Sequence, residues 1–304
     1  MIKIYGVNQI RRFRRPVVAL GVFDGVHRGH INILKCAVAK AHSVKGKSIV
    51  ITFWPHPQGV KSLYSLDHRL RLFKRLGVDV CVVVNFTKGF ADISAPDFIR
   101  DILAGKIRAR YIYVGKNFRF GKGAQGDLKL LAESGKVYGY KLKAFSVIKV
   151  RNKPISSTYI RRLIRKGDLA HAAKLLTRPV SILGSVMPGD YLGRKIGFPT
   201  ANINPHHEVI PPSGIYAVRV IFEGKKYNGI CYIGRRPTLK NSKFETQNPK
   251  LKIEVHILQF NRNIYNKYLE INFIKKIRED KKFSSLLNLS RQIEKDVSVA
   301  RKIL

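Results

Sequence analysis

The stretch Gly21-Val22-Phe23-Asp24-Gly25-Val26-His27-Arg28-Gly29-His30 lies between a short apolar run and an amphipathic segment. Residues 16–20 before it are β-prone, and the apolar residues from Ile31 onward recur at helical spacing. The stretch is therefore predicted to be a strand-to-helix turn, in which glycines permit tight backbone geometry. His27 and His30 can face one side of the first helical turn, where free N–H groups favour anions. The turn is a candidate cradle for a triphosphate.

Alternating strand and helix patterns follow this turn. Residues 47–54, 78–86 and 109–115 are predicted strands, and helices are predicted over 67–76 and from Ser94 onward. This alternation predicts an α/β domain with a parallel sheet, in which ligands sit at the carboxyl ends of the strands. The opening turn lies at one such end. Taken alone, it fits a plain connection with two surface imidazoles equally well.

The pattern of predicted secondary structure changes near Pro179. Short β-prone runs separated by Gly, Pro and Asn follow, and helical periodicity returns only near the C-terminus. The runs are residues 180–186, 214–222, 227–233, 251–260 and 269–274, and the predicted helix covers 283–303. This pattern predicts a small antiparallel β-barrel with a C-terminal helix. We therefore predict two domains, residues 1–178 and 179–304.

Composition limits the classes of protein that fit. The 304 residues, 45% of them hydrophobic, are enough for two globular domains with their own cores. The apolar runs are too short to span a bilayer and no signal-peptide pattern is present, so we expect a cytoplasmic protein without membrane contact. Three scattered cysteines predict neither a zinc site nor a disulfide framework. The sequence carries no signal for an oligomeric state.

The net charge of +39 raises the question of nucleic-acid binding. Lys and Arg are dispersed along the whole chain and form no dense basic tail. We therefore expect weak, non-specific and salt-sensitive adhesion to nucleic acid, and no specific nucleic-acid partner.

A second Gly-rich segment, residues 184–202, ends in Gly197-Phe198-Pro199-Thr200-Ala201-Asn202. Its glycines let backbone N–H groups approach phosphates, and the Thr200 hydroxyl and Asn202 amide oxygens are hard ligands suited to Mg²⁺. Glu254 interrupts apolar neighbours on a predicted strand and can take a proton as charge develops on an attacking hydroxyl. The alternatives are a Gly/Pro loop with polar caps and an ordinary half-exposed Glu.

These motifs together resemble those of a known family. His-x-Gly-His after a strand resembles the nucleotidyltransferase superfamily, and the longer form from Phe23 narrows the resemblance to the prokaryotic bifunctional FAD synthetases, also called riboflavin kinase/FMN adenylyltransferases. The Ser-Thr-x-x-Arg segment at 157–161 resembles the second superfamily motif, and residues 197–202 resemble the riboflavin kinase motif. The resemblance extends from Gly21 to Asp296, with the motifs in the family's order.

The resemblance implies two sequential reactions that use ATP and Mg²⁺. The barrel would phosphorylate riboflavin to FMN, with Glu254 as the base and Thr200 and Asn202 as metal ligands. The first domain would transfer AMP from ATP to FMN, giving FAD and pyrophosphate, with His27, His30 and Arg161 acting on the phosphates. The resemblance also implies ATP or flavin contacts by Gly21, Phe23, Asp24, Gly25, Gly29, Pro55, His56, Pro57, Asn117, Phe118, Ser157, Thr158, Gly189, Gly193, Arg194, Gly197 and Arg278.

Other interpretations stay open for several segments. Residues 55–57 also fit a rigid strand exit, residues 114–121 an RNA-binding loop with stacking aromatic rings, and residues 157–161 an ordinary helix cap before a basic helix. Four residues depart from the family's pattern: Tyr159, Tyr232, Asn263 and Asn266. The rival functions are a different nucleotidyltransferase, a nucleic-acid-binding protein, and a chain that has lost one of the two activities.

Overall fold

The computed structural model describes residues 1–150, 152–189, 191–206, 208–235 and 251–304. The chain divides into two compact units, Met1–Ser157 and Thr158–Leu304. The functional boundary near Pro179 stays a prediction. Within the described residues no helix combines the length and the apolar character needed to cross a membrane. The three cysteines are free, and Cys81 and Cys231 are buried.

A six-stranded sheet forms the centre of the first unit. Its strands are β1 (Ile2–Tyr5), β2 (Val17–Leu20), β3 (Ser48–Trp54), β4 (Val80–Asn85), β5 (Tyr111–Gly115) and β6 (Lys141–Phe145). They lie in the order β1-β4-β3-β2-β5-β6, and every neighbouring pair is parallel. The predicted parallel sheet is confirmed.

Helices connect these strands. They are α1 (Arg28–Ser43), α2 (Leu66–Arg75), α3 (Lys88–Ala91), α4 (Ala95–Asp97) continuing as the π-helical Phe98–Lys106, and α5 (Leu128–Tyr138). A short hairpin, β7 (Lys149–Val150) and β8 (Lys153–Pro154), closes the unit. Side chains cap several of the helices, because Ser65, Ser94 and Asp127 accept hydrogen bonds from backbone N–H groups of the first turn.

Both faces of this sheet are covered, which explains the continuous apolar character of its central strands. On β3, Ile49 and Ile51 pack into a core with Ile99 of the π-helical segment. Val50, which points to the opposite face, packs into a second core with Leu34 of α1 and Phe73 of α2. A strand that is buried on both faces carries apolar side chains at successive positions, so its sequence shows no alternation of apolar and polar residues.

The second unit contains a closed barrel. After α6 (Ser157–Lys166) and α7 (Leu169–Leu176) come β9 (Val180–Met187), α8 (Leu192–Lys195), β10 (Ala201–Asn204), β11 (Gly214–Phe222), β12 (Lys225–Arg235), β13 (Leu251–Ile257), β14 (Tyr268–Arg278) and α9 (Leu286–Ile303). The barrel order is β10-β13-β12-β11-β14-β9, and all its pairs are antiparallel. The predicted antiparallel barrel with a C-terminal helix is confirmed.

Alternation along the barrel strands separates an inner face from an outer one. On β13, Ile253 and Val255 are buried, whereas Glu254 between them is half-buried on the outer face. The helix α9 covers part of that outer face, where its Val297 and Ala300 pack against the barrel. Glu254 therefore stands on a strand whose apolar neighbours are fixed in the barrel core.

Candidate active sites

The turn between β2 and α1 has the tight backbone that its glycines were predicted to allow. Phe23 and Gly25 have positive φ angles of 53° and 76°. A Cβ atom on Gly25 would lie 2.5 Å from Leu63 Cδ1, so this position requires glycine for both its conformation and its space. A Cβ atom on Gly21 would lie 3.2 Å from the Phe23 ring. Backbone conformation and packing thus fix the course of the turn.

The two histidines of the motif stand together where α1 begins. His27 is the N-cap, and its Nδ1 accepts a hydrogen bond from the His30 N–H at 3.4 Å. The two imidazole centroids are 3.6 Å apart and the rings are 21° from parallel. Gly29 lies against the His27 ring, and Phe23 meets His30 edge-on at 5.3 Å. The predicted common side of the first turn therefore carries both imidazoles beside the N–H groups of the helix end.

Asp24 supports the turn from beneath. Its side chain is 2% exposed, and its Oδ1 accepts hydrogen bonds from the N–H groups of Leu63 (2.9 Å) and Tyr64 (3.3 Å). Its own carbonyl oxygen accepts a hydrogen bond from Ser157 Oγ at 2.8 Å. Asp24 and Ser157, which the sequence predicts as ligand contacts, are thus placed where they hold the backbone around the histidines.

Arg69 of α2 supports the same region, and sequence reasoning missed it. Its side chain is 1% exposed and lies beneath the ends of β2 and β3. Its Nη1 donates to the Val22 carbonyl at 2.7 Å and to Thr52 Oγ1 at 3.0 Å. The local sequence pattern does not distinguish Arg69 from the other basic residues of this amphipathic helix, so the sequence does not indicate that Arg69 is buried.

Two further loops follow the strands on either side of β2. After β3, Pro55 is joined to Trp54 by a cis peptide bond. His56 and Gln58 flank Pro57, and His56 Nδ1 accepts a hydrogen bond from the Gln58 N–H at 3.2 Å. After β5, the Phe118 N–H donates to the Gly115 carbonyl at 3.0 Å. Because β3, β2 and β5 are adjacent, these loops and the histidine turn share one edge of the sheet.

The loop after β5 exposes Asn117, whereas Phe118 is half-buried and Phe120 is buried. Phe118 stacks on Phe120 with ring centroids 5.6 Å apart. Thr158 and Arg161 belong to the second unit, where Arg161 Nη1 donates to Thr158 Oγ1 at 3.3 Å and the Arg161 side chain is buried. The action of Thr158 and Arg161 on ATP stays a prediction.

On the barrel, one cross-strand row joins two residues of the predicted kinase site. Asn202 of β10 is paired with Glu254 of β13, and Glu254 is paired in turn with Tyr232 of β12. Side chains directly opposite each other on antiparallel strands point to the same face. Lys252 Nζ lies 3.6 Å from Glu254 Oε1. The predicted base and one predicted metal ligand therefore neighbour each other.

The Gly-rich loop passes directly against the same residues. A Cβ atom on Gly189 would overlap the Asn202 side-chain amide, and one on Gly193 would lie 3.1 Å from Thr200 Oγ1. Gly197 has a φ of 87°, a conformation that favours glycine. Asp190 in this loop lies outside the described residues, and the Arg194 side chain is exposed on α8. Only glycine lets the backbone approach Thr200 and Asn202 this closely.

Arg278, a predicted flavin contact, is fixed by an ion pair. Its Nη2 lies 2.7 Å from Asp296 Oδ2 and its Nε donates to Asp296 Oδ1 at 2.9 Å. Close by in sequence, Asp280 Oδ2 accepts a hydrogen bond from the Tyr232 hydroxyl at 3.1 Å. Burial raises the pKa of Tyr232, and the Asp280 carboxylate raises it further, so this hydroxyl stays protonated. The flavin contact of Arg278 stays a prediction.

Two of the residues that depart from the family's pattern form a turn of their own. Asn266 has a left-handed φ of 60°, a conformation that Asn tolerates well. The Tyr265 N–H donates to Asn263 Oδ1 at 3.2 Å. The two asparagines therefore support this turn, one through its side-chain oxygen and the other through its backbone conformation.

Comparison with known proteins adds to this geometry. The FAD synthetase family model matches residues 9–159, and the riboflavin kinase family model matches residues 176–304. The chain is 35% identical to a bifunctional riboflavin kinase/FMN adenylyltransferase of Buchnera aphidicola from Schizaphis graminum, over 98% of this chain and 97% of that one. It is 36% identical to the protein of the same description from Escherichia coli K12, with 94% and 92% of the two chains covered.

A solved structure also resembles this chain over its whole length. A protein from Streptococcus pneumoniae, described as a macrolide-efflux protein, matches with a TM-score of 0.81 and 28% sequence identity. The match covers 99% of each chain. Both units therefore have a counterpart in one known chain.

Proposed function

The chain belongs to the bifunctional riboflavin kinase/FMN adenylyltransferase family, and from this premise we propose which of its residues serve each reaction. The protein phosphorylates riboflavin with ATP to give FMN, and transfers AMP from ATP to FMN to give FAD and pyrophosphate. The stacked His27–His30 pair at the start of α1 is the observation that carries the assignment of the second reaction.

In the adenylyl transfer, a phosphate oxygen of FMN attacks the α-phosphorus of ATP and pyrophosphate leaves. The nucleophile comes with the substrate, so the protein must position two anions and stabilise the charge that develops. His27 and His30 donate hydrogen bonds to the ATP phosphates beside the N–H groups of α1. For Thr158 and Arg161 the proposed roles are a hydrogen bond from the Thr158 hydroxyl to ATP and neutralisation of phosphate charge by the Arg161 guanidinium.

The loops on either side of the histidine turn bind the remaining parts of the substrates. We assign the flavin contact to the segment Pro55-His56-Pro57. This segment directly follows β3, the strand next to the histidine turn. Asn117 and Phe118 contact nucleotide from the other side, where Phe118 offers an aromatic face. The parallel strand order, which sets these loops side by side, supports both assignments.

In the kinase reaction, Glu254 takes the proton from the terminal ribityl hydroxyl of riboflavin as its oxygen attacks the γ-phosphorus of ATP. The position of Glu254 beside Asn202 in the cross-strand row supports this role, because Asn202 belongs to the segment that contacts the phosphates. Backbone N–H groups of the loop at Gly189 and Gly193 approach the ATP phosphates. ADP leaves with the second product, FMN.

Thr200 and Asn202 form a donor set that fits Mg²⁺. Their hydroxyl and amide oxygens are hard ligands, and the loop backbone at Gly189 and Gly193 lies directly against them. Among the described residues no group of three or more His, Cys, Asp or Glu side chains could hold a metal alone. Two protein ligands suit Mg²⁺, which keeps several waters and binds through substrate phosphates. Bound there, it would supply charge neutralisation on ATP.

The cytoplasm is the compartment in which we propose that the protein works. ATP and riboflavin are available there, and the reducing conditions suit a chain whose three cysteines are free. The expected partners are therefore its small-molecule substrates.

Substitution of the proposed base tests the kinase assignment. In Glu254→Gln, FMN formation from riboflavin should fall at least about a hundredfold, because the attacking hydroxyl keeps its proton, while FAD formation from supplied FMN persists. Glu223→Gln, an exposed carboxylate on the β11–β12 hairpin, is the matched control. Chromatographic separation of riboflavin, FMN and FAD measures both steps.

Substitution of His30 tests the other site in the same assay. His30→Ala should let FMN accumulate and lower FAD formation by about a hundredfold or more, because a charge-stabilising group on ATP is lost. His42→Ala, near the exposed end of the same helix, should leave both steps unchanged. If either the Glu254 or the His30 variant abolished both reactions in folded protein, the assignment of two separate sites would be wrong.

A further inference from the structure

Arg69 is a fully buried cation that the proposed chemistry does not use. It is 1% exposed and is among the largest side chains buried to this degree. Burying a guanidinium costs free energy unless hydrogen bonds replace its water, and an apolar side chain would fill the same volume without that cost. Its presence at this position therefore calls for a role beyond packing.

The hydrogen bonds of Arg69 join the histidine turn, which follows β2, to the end of the adjacent strand β3. Nη1 donates to the carbonyl of Val22, the residue that enters the histidine turn, at 2.7 Å. Nη2 donates at 3.3 Å to the carbonyl of Phe53, two residues before Pro55. Thr52 Oγ1 accepts from Nη1 at 3.0 Å and itself donates to the Val22 carbonyl at 2.8 Å. One planar cation thus connects the histidine turn with the last residues of β3, which lead directly into the Pro55-His56-Pro57 segment.

We propose that Arg69 is a positioning residue for adenylyl transfer, which fixes the spacing between the histidine turn and the Pro55-His56-Pro57 segment. This inference rests on the proposed function, in which the first loop holds the ATP phosphates and the second holds the flavin. The attacking FMN phosphate and the α-phosphorus of ATP must meet in line at close range. Because each substrate is bound by one loop, the distance between the loops sets the distance between the reacting atoms.

The fork geometry of arginine is what this role requires. Two nitrogens of one rigid plane bind two carbonyl oxygens, one in the histidine turn and one on β3, and the guanidinium carbon lies 5.4 Å from the centre of the Trp54 ring. A lysine carries the same charge on a similar stem but has a single nitrogen. It can bind the Val22 carbonyl or the Phe53 carbonyl and leaves the other end of the connection open.

The test is Arg69→Lys, assayed for FAD formation from FMN and ATP at a temperature where circular dichroism shows the variant fully folded. We expect kcat to fall by between about tenfold and a hundredfold, while KM for FMN and for ATP stays within about twofold of wild type. A loss confined to kcat indicates misaligned substrates, because both loops still bind them. Riboflavin phosphorylation by the same chain should not change. Arg71→Lys, exposed on the same helix, is the matched control.

Thr52→Val provides a second variant of nearly equal volume. It removes one hydrogen-bond partner of Arg69 and should lower kcat about three- to tenfold, again at unchanged KM, by the general effect of misplaced reactants. Wild-type kcat in folded Arg69→Lys would overturn the inference. If Arg69→Lys does not fold, wild-type kcat in Thr52→Val would overturn it instead. His30→Ala, measured in parallel, separates the two proposals: if that variant still makes FAD, the site itself is assigned wrongly.

Discussion

The ion pair between Arg278 and Asp296 shows what a single residue contributes to the barrel unit. Asp296 is 2% exposed and accepts hydrogen bonds from Arg278 and from Gln292 Nε2, which lies one turn earlier on α9. A buried carboxylate is tolerated only when such partners replace its water. The pair therefore fixes the C-terminal helix to the last strand of the barrel.

Removing the charge of Asp296 should loosen this attachment. Asp296→Asn leaves the Arg278 guanidinium without its carboxylate, and the expected loss is about 3 kcal/mol of the free energy of unfolding. The temperature at which riboflavin phosphorylation is lost on heating should fall accordingly. Glu294→Gln, exposed on the same helix, is the control. Equal heat stability of the two variants would show that the pair adds nothing measurable.

Single residues also mark where sequence reasoning reached its limit. His27 and His30 were identified because their spacing alone places them on one helical turn. Arg69 and the Asp24 contacts with Leu63 and Tyr64 were not, because their partners lie 16 to 47 residues away along the chain. Contacts of that length depend on strand order, which local patterns do not specify. Residues that lie within one turn of each other could thus be placed from the sequence, whereas the long-range contacts that hold the turn could not.

Among the elements, β3 and β4 depend on a carboxylate placed between their first residues. Asp79 lies just before β4, and its Oδ2 accepts hydrogen bonds from the N–H and the hydroxyl of Ser48, the first residue of β3. Lys47 Nζ lies 3.3 Å from its Oδ1. Burial raises the pKa of Asp79, but the hydrogen bonds from Ser48 and Lys47 outweigh burial and lower the pKa below its ordinary 3.8.

A lowered pKa in the folded state makes this contribution to stability depend on pH. It is fully present above the pKa of the unfolded chain and is lost as the pH falls through the lower, folded pKa. Asp79→Asn should therefore melt at a lower temperature than wild type at pH 7, and the two melting temperatures should approach each other as the pH falls below the ordinary carboxyl pKa of 3.8. Asp92→Asn is the control. A difference that persists unchanged at pH 3 would contradict this account.

The elements themselves were predicted unevenly, for identifiable reasons. The apolar runs of β3 and β11 indicated strands because both are densely packed. By contrast, β10 (Ala201–Asn204) was not predicted as a strand, because its side chains are mainly small and polar. Yet β10 pairs with both β9 and β13 and so closes the barrel. The edge strands β1 and β6 and the helix α5 were also missed, since exposed residues interrupt their patterns.

At the scale of the whole molecule, the net charge of +39 determines how strongly the protein attracts polyanions such as nucleic acids. A field of this size attracts any polyanion, whatever its sequence. Binding of this kind releases counterions and weakens steeply with salt.

We therefore expect the protein to bind single-stranded RNA of any sequence at low salt. Its affinity should fall by about tenfold or more between 50 and 200 mM KCl, because each phosphate contact releases a counterion. Fluorescence anisotropy with two labelled 20-mers of different sequence measures both effects. A preference for one sequence, or an affinity that salt does not change, would show a specific nucleic-acid site in place of general attraction.

The barrel and the parallel sheet differ in whether they leave a strand edge to which another molecule can add a strand. Every described barrel strand pairs on both sides, whereas the parallel sheet ends on β1 and β6 in its strand order. Lys141 and Lys143 on β6 are exposed and discourage another chain from adding a strand there. On β1, Ile2 and Tyr5 are 55% and 51% exposed. Aggregation of this protein at high concentration should therefore begin at its first strand, and a charged residue in place of Ile2 is the change that would suppress it.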